Sequence, residues 1–312
     1  MNMPTTPITT DPNTLPLDDL FAQLIDPAAL DALIDRAFTE DLHDRGDITS
    51  QSTIDADQPT TAAIRARQPG IWCGANVIPR IAALHDPSLT ITDILPDGSR
   101  LTPGQSPARI AGPTRSLLTV ERTLLNFVTH LSGIATLTAQ YVDAVAHTRA
   151  AIFDTRKTIP AFRHLAKHAV RCGGGRCHRI GLFDAMLIKD NHLAHLPLDD
   201  WPTAINAAAQ RARALPDPPA FIEVEVDNLD QLRRVVDCDL DLILLDNFTP
   251  DDMRRAVAVR DDLRPGLPLE ASGGVDLTSV RRIAETGVDR IAVGALTHSA
   301  PALDLGLDND NN

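Results

Sequence analysis

The segment AIFDTRKT, residues 151–158, joins a short apolar run to an aspartate and two cations. Further short apolar runs follow it along the chain, and mostly helical stretches separate them. A strand, a helix and another strand, repeated about six times, are typical of an α/β fold with a parallel sheet. The predicted strands cover residues 151–153, 185–188, 221–226, 240–245, 268–271 and 290–293.

Each of these predicted strands ends in residues that can do chemistry. The polar or glycine-containing groups after the strands occupy positions 154–157, 189–191, 225, 246–247, 272–274 and 294–295. In an open doubly wound sheet only the strands at the switch point would present such groups. In a barrel of the TIM type, all strands bring their C-terminal ends to one catalytic face. The pattern therefore favours an α/β barrel over an open sheet.

The part of the chain before the predicted barrel has a different pattern of apolar and turn-forming residues. Short alternating runs at 61–66 and 89–94 are separated by Pro-Gly or Asp-Gly pairs at 69–70, 97–98 and 103–104. This pattern predicts a small open sheet. Residues 117–145 are almost free of glycine and proline and carry apolar residues at helical spacing. They are expected to form one or two long helices.

These residue patterns predict the domain organisation. We expect an N-terminal open-sheet α/β domain over residues 17–118 and a catalytic barrel domain over residues 119–298. Residues 299–312 are expected to return towards the N-terminal domain, with a polar, disordered end after Leu307. Residues 1–16 have neither a basic start nor an apolar run, so a disordered tail is expected there rather than a signal peptide.

The charge distribution indicates the kind of ligand. The chain has a net charge of −13, which argues against nucleic acid or an anionic membrane surface as a partner. Residues 154–192 nevertheless contain eight Lys or Arg against three Asp. Such a cluster in an acidic protein indicates binding of a small anion, with a basic solvated face as the alternative. Four cysteines without an export signal predict reduced thiols and a cytoplasmic location.

Three cationic segments are candidates for binding that anion. Arg156 and Lys157 directly follow a predicted strand, and arginine offers a planar fork to a carboxylate, whereas lysine offers a compact charge to a phosphate. Residues 173–179, GGGRCHR, combine a tight turn with a His-Arg pair. This segment lacks the spacing of a P-loop or a dinucleotide fingerprint. Lys189 is a third cation at a strand end, and a Schiff-base role is its alternative.

Acidic residues and glycines at the other strand ends complete the predicted site. Glu225 and Asp246 are candidates for holding Mg²⁺ directly or through water, for binding ribose hydroxyls, or for stabilising developing positive charge. Glu223 lies on the same strand face as Glu225, so the pattern alone does not choose between them. Residues 272–274 (SGG) and 294–298 (GALTH) follow the last two predicted strands. Barrels commonly bind a phosphate at these positions.

Two further patterns do not predict a metal site by their spacing. His164 and His168 lie four residues apart, but no third ligand is evident, so a solvated helix face is expected. Cys172 and Cys177 lack both the spacing of a redox pair and partners for zinc.

The ordered set of these segments resembles the quinolinate phosphoribosyltransferase family from Glu40 to Leu307. The resemblance rests on EDL (40–42), GDIT (46–49), ERTLLNFVTHLSGIAT (121–136), DTRKT (154–158), GGGRCHR (173–179), IKDNH (188–192), EVEVDN (223–228), LLDN (244–247), EASGG (270–274) and VGALTHS (293–299). It implies a small N-terminal open α/β domain and a C-terminal incomplete TIM-like α/β barrel with parallel strands. It also implies a head-to-tail homodimer with active sites shared between subunits.

The resemblance further implies an activity. A member of this family transfers the phosphoribosyl group of phosphoribosyl pyrophosphate to the ring nitrogen of quinolinate and decarboxylates the product to nicotinate mononucleotide, in NAD biosynthesis, with Mg²⁺ as cofactor. By motif, the quinolinate carboxylates would be held by Arg156, His178, Arg179, Lys189 and Arg122 of the partner subunit. Lys157 would meet the pyrophosphate, Glu225 and Asp246 would serve the ribose and Mg²⁺, and the 5′-phosphate region would contain Ser272, Gly273, Gly294 and His298. The catalytic residues implied are Lys157, Lys189, Glu225 and Asp246.

One departure from the family pattern lies next to the cation pair. Family members usually have DTRKTTPGLR, whereas this chain has Ile159, Ala161 and Phe162. Loss of the glycine predicts a stiffer loop, which bears on rate rather than on substrate choice. The alternative function is that of a paralogous phosphoribosyltransferase of the same fold with another anionic acceptor. A catalytically inactive barrel that only binds an anion is a further alternative.

Overall fold

The computed structural model describes residues 10–309. The chain forms two compact units. The first contains the residues up to Ala139, together with 164–174 and those from Ser299 onward, and the second contains residues 140–163 and 175–298. The change of unit at 139–140 and the predicted domain boundary at 118–119 both fall within one long helix.

Helices account for much of the described chain. In chain order they are α1 (Leu17–Leu24), α2 (Pro27–Leu42), α3 (Ile48–Thr53), α4 (Ile78–His85), α5 (Thr114–Val145), α6 (Arg163–Cys172), α7 (Asp190–Leu193), α8 (Trp201–Arg213), α9 (Leu229–Val235), α10 (Pro250–Leu263), α11 (Val280–Ala284) and α12 (Ala295–His298).

The strands are short, as the apolar runs of the sequence predict. In chain order they are β1 (Pro59–Ala66), β2 (Gly70–Ile71), β3 (Thr90–Thr92), β4 (Arg100–Leu101), β5 (Ala108–Pro113), β6 (Ala151–Phe153), β7 (Met186–Ile188), β8 (Ile222–Val226), β9 (Leu242–Asp246), β10 (Leu269–Ser272), β11 (Arg290–Ala292) and β12 (Leu305–Asn309).

The first unit contains a small antiparallel sheet in the order β12-β1-β5-β3, and β2 pairs separately with β4. The predicted small open sheet is thereby confirmed. The last strand comes from the C-terminal end of the chain, because Asn309 pairs with Ala62 and Leu305 pairs with Ala66. The segment after residue 298 thus returns to the sheet of the first unit.

The two predicted tails are partly ordered. Disorder after Leu307 is wrong for Asp308 and Asn309, because both pair with β1, and Asp308 also forms an ion pair with Arg67 at 2.5 Å. Disorder over residues 1–16 is likewise wrong for residues 10–16. There the Thr14 N–H donates to the Asp11 carbonyl at 3.0 Å, and Arg171 donates to the Leu15 carbonyl at 3.3 Å. Residues 1–9 and 310–312 lie outside the described part of the chain.

Helix α5 confirms the long helical prediction as a single element of 32 residues. Its apolar side chains recur every three or four positions, and the buried face includes Leu117, Val120, Leu124, Val128 and Leu131. Gly133 lies where the C-terminal segment crosses the helix. A Cβ atom at this position would lie 2.1 Å from the Pro301 carbonyl oxygen, so only glycine allows the crossing.

The second unit contains a fully parallel six-stranded sheet in the order β6-β11-β10-β9-β8-β7. Strands β7 to β11 are neighbours in chain order, and β11 then pairs with the first strand, β6. Only the ladder between β6 and β7 is missing from a closed barrel. This is the predicted incomplete TIM-like barrel, which is therefore confirmed.

Strand register determines which side chains share the inner face of this barrel. Side chains alternate between the two faces of a strand, and residues in parallel register lie on the same face. Glu225 is in register with Leu244, Leu244 with Glu270, and Glu270 with Arg290. Two residues further along their strands, Asp246 and Ser272 share this face. Alternation and register thus bring the predicted acidic residues to one side of the sheet.

Within residues 10–309, none of the helices is both long enough and apolar enough to cross a bilayer.

Candidate active site

The candidate site lies in the second unit, at the C-terminal ends of its parallel strands. Asp154 follows β6 and is fully buried, and its Oδ1 accepts a hydrogen bond of 2.8 Å from the N–H of His178. Arg176 pairs with β6 through the Ile152 carbonyl at 2.8 Å and the Asp154 N–H at 3.0 Å. Asp154 therefore positions the segment that follows the three glycines, and this segment carries His178 and Arg179.

Two arginines of the predicted anion site lie close enough to affect each other. Arg179 is buried, and burial followed by the positive charge of Arg156 lowers its pKa. The Nε atom of Arg156 is also buried and has no hydrogen-bond partner. Two guanidinium groups that repel each other, one with an unused buried donor, form a site that an anion would stabilise.

His178 lies between two buried carboxylates. Its Nε2 is 2.9 Å from Glu223 and 3.2 Å from Glu270, and both glutamates are fully buried. Burial lowers the pKa of His178, but the charges of Glu270 and Glu223 outweigh this effect and raise it to about 10. The N–H of Arg179 donates to Nδ1 at 2.7 Å. This hydrogen bond favours an unprotonated Nδ1 and therefore opposes the rise in the pKa of His178. Both ring nitrogens thus face protein groups, and the role of His178 as a quinolinate contact stays a prediction.

Arg290 completes the charged cluster beneath the strand ends. Its Nε lies 2.7 Å from Glu270, and its guanidinium carbon lies 3.8 Å from the centre of the Phe153 ring. The charges of His178 and Arg290 offset the burial of Glu270 and lower its pKa, whereas burial and the charge of Glu270 raise the pKa of Glu223. His178 and Arg290 therefore supply positive charge beside the two buried glutamates.

Sequence reasoning missed Glu270 and Arg290 as members of the site. A signal for Glu270 was available, since it precedes Ser272 by two residues and a strand that alternates places both on one face. Arg290 carries no comparable signal, because it stands at the beginning of its strand rather than at the end.

Lys189 and Glu225 form an ion pair through the Nζ atom and one carboxylate oxygen. Their strands, β7 and β8, are neighbours in the sheet. The Lys189 side chain is 44% exposed and that of Glu225 only 8%, so the pair has one face open to a ligand. The structure thus brings together a predicted carboxylate-binding cation and a predicted ribose-binding acid.

Asp246 lies at the end of β9, next to a residue with an unusual backbone. Asn247 has a φ of 54°, and its amide donates to the Asp246 carboxylate at 2.8 Å. Gly273 packs against it, and a Cβ atom there would lie 2.1 Å from the Asn247 Oδ1. With a φ of 96°, Gly273 also has a conformation that favours glycine. Gly273 is thus required for the position of Asn247 and, through it, of Asp246.

Lys157, Gly294 and His298 lie together at the ends of β6 and β11. A Cβ atom at Gly294 would lie 3.1 Å from the Lys157 Cδ and 3.2 Å from the His298 Nε2. The Thr297 hydroxyl donates to the Lys157 carbonyl at 2.7 Å and so fixes the backbone of the cation loop. The predicted phosphate residues of two distant segments therefore surround one small space.

The loop after Lys157 contains the departure from the family pattern. Ala161 has a φ of 62°, in the left-handed region that glycine adopts without strain. Arg163 holds the loop through the Thr158 hydroxyl at 3.2 Å and the Ile180 carbonyl at 3.3 Å. An alanine thus occupies a backbone conformation suited to the family's glycine.

Arg122 lies on α5, in the first unit, and is exposed. Its predicted role concerns a partner subunit, so it stays a prediction.

Residues 10–309 contain two groups of side chains that could hold a metal ion. Groups of at least three His, Cys, Asp or Glu side chains with donor atoms within 4.8 Å of one another are His178 with Glu223 and Glu270, and Cys73 with Asp97, His168 and Cys172. Neither group contains Glu225 or Asp246, which would supply two carboxylates at most. Mg²⁺ is commonly bound by one or two carboxylates together with substrate phosphates. The donor set at the strand ends therefore fits Mg²⁺ bound with its substrate.

Comparison with known proteins identifies the family. The C-terminal domain of quinolinate phosphoribosyl transferase matches residues 134–308, and the N-terminal domain of the same family matches residues 47–132. The nicotinate-nucleotide pyrophosphorylase [carboxylating] of Mycobacterium leprae is 45% identical over 280 residues, which cover 88% of this chain and 95% of the relative. A probable nicotinate-nucleotide pyrophosphorylase [carboxylating] of Bacillus subtilis is 39% identical over 89% of this chain and 93% of its own length.

A solved structure agrees with these matches over nearly the whole chain. The nicotinate-nucleotide pyrophosphorylase from Francisella tularensis superposes with a TM-score of 0.82 at 38% identity, covering 97% of this chain and 100% of that chain. The predicted family and the predicted enzyme class, a pentosyltransferase, are both confirmed. The chain belongs to the quinolinate phosphoribosyl transferase family over both of that family's domains.

Proposed function

We propose that this enzyme transfers the phosphoribosyl group of phosphoribosyl pyrophosphate to the ring nitrogen of quinolinate, with loss of CO₂, to give nicotinate mononucleotide and pyrophosphate for NAD biosynthesis. The observation that supports it most strongly is the arginine pair. Arg156 has a buried donor without a partner, and its charge lowers the pKa of Arg179. A dicarboxylate supplies two negative charges to such a site, whereas nicotinate supplies one.

Quinolinate would be oriented chiefly by planar, charged contacts. Arg156 and Arg179 would each bind a carboxylate through paired N–H donors, and Lys189 would add a compact charge from the side of Glu225. His178 would keep Arg179 in place through the 2.7 Å contact with its N–H. Holding the ring in one orientation brings its nitrogen towards the ribose carbon and lowers the entropic part of the barrier.

Phosphoribosyl pyrophosphate would bind across the ends of β6, β10 and β11. Lys157 would meet the pyrophosphate, whose charge increases as it leaves. Ser272, Gly273, Gly294 and His298 would bind the 5′-phosphate, since glycines allow a phosphate to approach the backbone closely. The convergence of Lys157 and His298 on Gly294 supports this assignment.

Glu225 and Asp246 would face the ribose. The sugar gains positive charge as pyrophosphate leaves, and a nearby carboxylate stabilises that charge. The same two side chains would hold Mg²⁺, directly or through water, which when bound offsets the negative charge of the leaving group. Their oxygen donors fit this ion, and the Asn247 amide already orients one oxygen of Asp246.

The second half of the reaction follows from the first. Once the ring nitrogen bonds to the ribose carbon, it is cationic and stabilises the electron pair left at C2 when the 2-carboxylate departs as CO₂. A proton then replaces the carboxylate at C2. The enzyme's contribution at this stage is to keep the 3-carboxylate bound and the ring oriented.

A homodimer with shared active sites is part of the proposal, with Arg122 of the partner subunit completing the carboxylate site. Mixing Arg122→Ala subunits with Lys189→Ala subunits should restore part of the activity, because each mixed dimer would contain one intact site. Each variant alone serves as the control. Lack of recovery in verified heterodimers would contradict the shared site. A cytoplasmic location is also proposed, on the ground that the four cysteines are all free thiols.

The direct test is an assay of the purified enzyme with quinolinate, phosphoribosyl pyrophosphate and Mg²⁺, following nicotinate mononucleotide and CO₂. Nicotinate is the parallel acceptor, and reactions without added metal are the control. We expect turnover of quinolinate only, and only with the metal. Turnover of nicotinate, or binding of phosphoribosyl pyrophosphate without turnover of quinolinate, would favour a paralogue with another acceptor.

A further inference from the structure

A buried group of four potential metal ligands lies in the first unit. Cys73, Asp97, His168 and Cys172 all lie within that unit, and their donor atoms lie within 4.8 Å of one another. The four residues are 1%, 9%, 1% and 7% exposed, respectively. The proposed reaction uses none of them.

Three separate segments supply these side chains. Cys73 follows β2, Asp97 precedes β4, and His168 and Cys172 lie one turn apart on α6. Residues four positions apart share a helix face, which brings the imidazole and the thiol to the same side. The spacings of His164 with His168 and of Cys172 with Cys177 predict no metal site, because the remaining donors come from the distant positions 73 and 97. The solvated helix face expected for His168 is wrong, since its side chain is buried.

Hydrogen bonds hold this group in place. One oxygen of Asp97 accepts from the N–H groups of Gly74 at 2.7 Å and Ala75 at 2.9 Å, and its other oxygen lies 3.0 Å from the His168 Nε2. The N–H of Cys73 donates to the Ser132 hydroxyl oxygen at 3.1 Å. The carboxylate is thus fixed before any ligand binds.

One nitrogen of the His168 ring, Nδ1, does not face Asp97. This atom is buried and faces no strong hydrogen-bond partner, only the thiol of Cys172, which belongs to the same group. A buried ring nitrogen in such surroundings is unfavourable, so a ligand at this atom would stabilise it. A carboxylate that receives the other ring N–H is the usual arrangement for a histidine bound to zinc.

The donor set has the chemistry of a zinc site. Zinc in proteins is bound by cysteine sulfur, histidine nitrogen and carboxylate oxygen, at about 2.3 Å for sulfur and about 2.0–2.2 Å for nitrogen and oxygen. In a tetrahedral site with such bonds the donors lie roughly 3.3–3.8 Å apart. A group whose donors lie within 4.8 Å of one another needs only small side-chain movements to bind the ion.

We propose that Cys73, His168 and Cys172 bind a structural zinc ion, with Asp97 either as the fourth ligand or as the acceptor that orients His168. The ion would join the segments that carry Cys73 and Asp97 to α6. Binding would release the thiol protons to solvent, since zinc binds the thiolate form. The site is buried, so the ion would enter as the chain folds.

The first measurement uses the wild-type protein, purified without chelator and under reducing conditions. Elemental analysis should give about one zinc per chain. After zinc removal in denaturant, refolding with Co²⁺ should give the visible absorption of tetrahedral coordination, with a sulfur-to-cobalt band in the near ultraviolet. Zinc removal should lower Tm by roughly 5 °C or more, at constant Mg²⁺. Reduced protein that contains no zinc and binds no Co²⁺ would overturn the proposal.

Variants identify the ligands. Cys73→Ala and Cys172→Ala should each lose the Co²⁺ spectrum and most of the zinc. Cys238→Ala removes a buried thiol from the second unit and should keep both. If the first two variants fold poorly, the nearly isosteric variants Cys73→Ser and Cys172→Ser replace them, and each should weaken or lose the sulfur-to-cobalt band. Zinc that persists in both variants, or a Co²⁺ spectrum without the sulfur band, would contradict the assignment. None of these measurements depends on turnover of quinolinate.

Discussion

The ammonium group of Lys189 donates directly to the carboxylate of Glu225, where β7 and β8 end side by side. The lysine is expected to bind a quinolinate carboxylate, and the glutamate is expected to face the ribose. The ion pair therefore joins the two substrate-binding regions, and each residue fixes the position of the other.

The first prediction concerns this coupling. Lys189→Ala and Glu225→Ala should each lower kcat/KM by about 100-fold or more. The kcat/KM of the double variant should lie no more than about 10-fold below that of the worse single variant. The reason is that either change leaves the other residue without its partner. Steady-state kinetics on the four proteins of the cycle measure the coupling. The exposed pair Arg233–Asp230 serves as the control and should show no coupling. Fully additive losses would mean that the pair acts as two independent groups.

Arg156→Ala tests the carboxylate site. Loss of a charge-assisted hydrogen bond of about 1.5–3 kcal/mol should raise the KM for quinolinate roughly 10- to 150-fold. The KM for phosphoribosyl pyrophosphate should stay within about 2-fold, because its charge is met by other residues. Arg176→Ala, an exposed arginine on the segment that leads to His178, is the matched control and should change neither constant. Equal increases in both constants would show that Arg156 does not select the acceptor.

The strands and the strand-end residues of the barrel could be predicted from the sequence, because each buried strand is a short apolar run followed by a polar group. The interior of β10 shows where this reasoning stops. Glu270 looks like a misplaced charge in an apolar run, and its partners, His178 and Arg290, come from other segments. These contacts form only when the strands pair in register, so no local sequence pattern predicts them.

The cysteine and histidine group was missed for the same reason. Spacing within α6 brings His168 and Cys172 together, but a zinc site is recognised in a sequence only when its ligands come in close pairs. Here Cys73 lies after β2 and Asp97 lies before β4, and both positions are far from α6 in the chain. The C-terminal tail gives a parallel case, since Asp308 and Asn309 are polar yet ordered by pairing with β1.

His178→Ala should show how much the buried carboxylates need their cation. Removing one partner of a buried charged group costs about 3–5 kcal/mol, so this loss of unfolding free energy is expected near pH 8. The pKa of Glu223 already lies above its usual value, through burial and then the charge of Glu270, and loss of the imidazole raises it further. A carboxyl with a raised pKa stabilises the fold at low pH and loses that contribution as pH rises.

The raised pKa of His178 itself, about 10, has the opposite effect, because such a cation contributes its full stability below about pH 6.5 and loses it as pH rises towards 10. The two effects oppose each other, so the destabilisation of His178→Ala should be similar at pH 8 and pH 5.5. Urea unfolding at the two values measures it. His147→Ala breaks an exposed contact with Glu285 and should cost less than about 1 kcal/mol at either pH. A loss below about 1 kcal/mol at both pH values would mean that Glu223 and Glu270 do not depend on this cation.

Ala161→Gly should stabilise the protein, which few alanine-to-glycine changes do. Alanine at a φ of 62° is strained by roughly 1–2 kcal/mol, and glycine loses about 0.5–1 kcal/mol through its greater freedom in the unfolded chain. The net gain is expected to be about 0.5–1 kcal/mol, measured by urea unfolding. Ala194, also exposed but with a φ of −57°, is the matched control, and Ala194→Gly should destabilise. Destabilisation by both changes would show that the loop is not strained at position 161.

Gly294→Ala should weaken the binding of phosphoribosyl pyrophosphate more than that of quinolinate. The φ of Gly294 lies outside the left-handed region, so alanine fits the backbone, but its methyl group would lie 3.1 Å from the Lys157 Cδ and 3.2 Å from the His298 Nε2. Overpacking of about 1–3 kcal/mol would displace these two side chains and raise the KM for phosphoribosyl pyrophosphate roughly 10- to 100-fold. The KM for quinolinate should change less than about 3-fold, because the atoms nearest to the added group belong to Lys157 and His298. Thermal unfolding provides the control, since a large fall in Tm would mean that the methyl group disturbs the barrel as a whole. If the two KM values rise together at an unchanged Tm, Gly294 does not belong to the phosphate-binding part of the site.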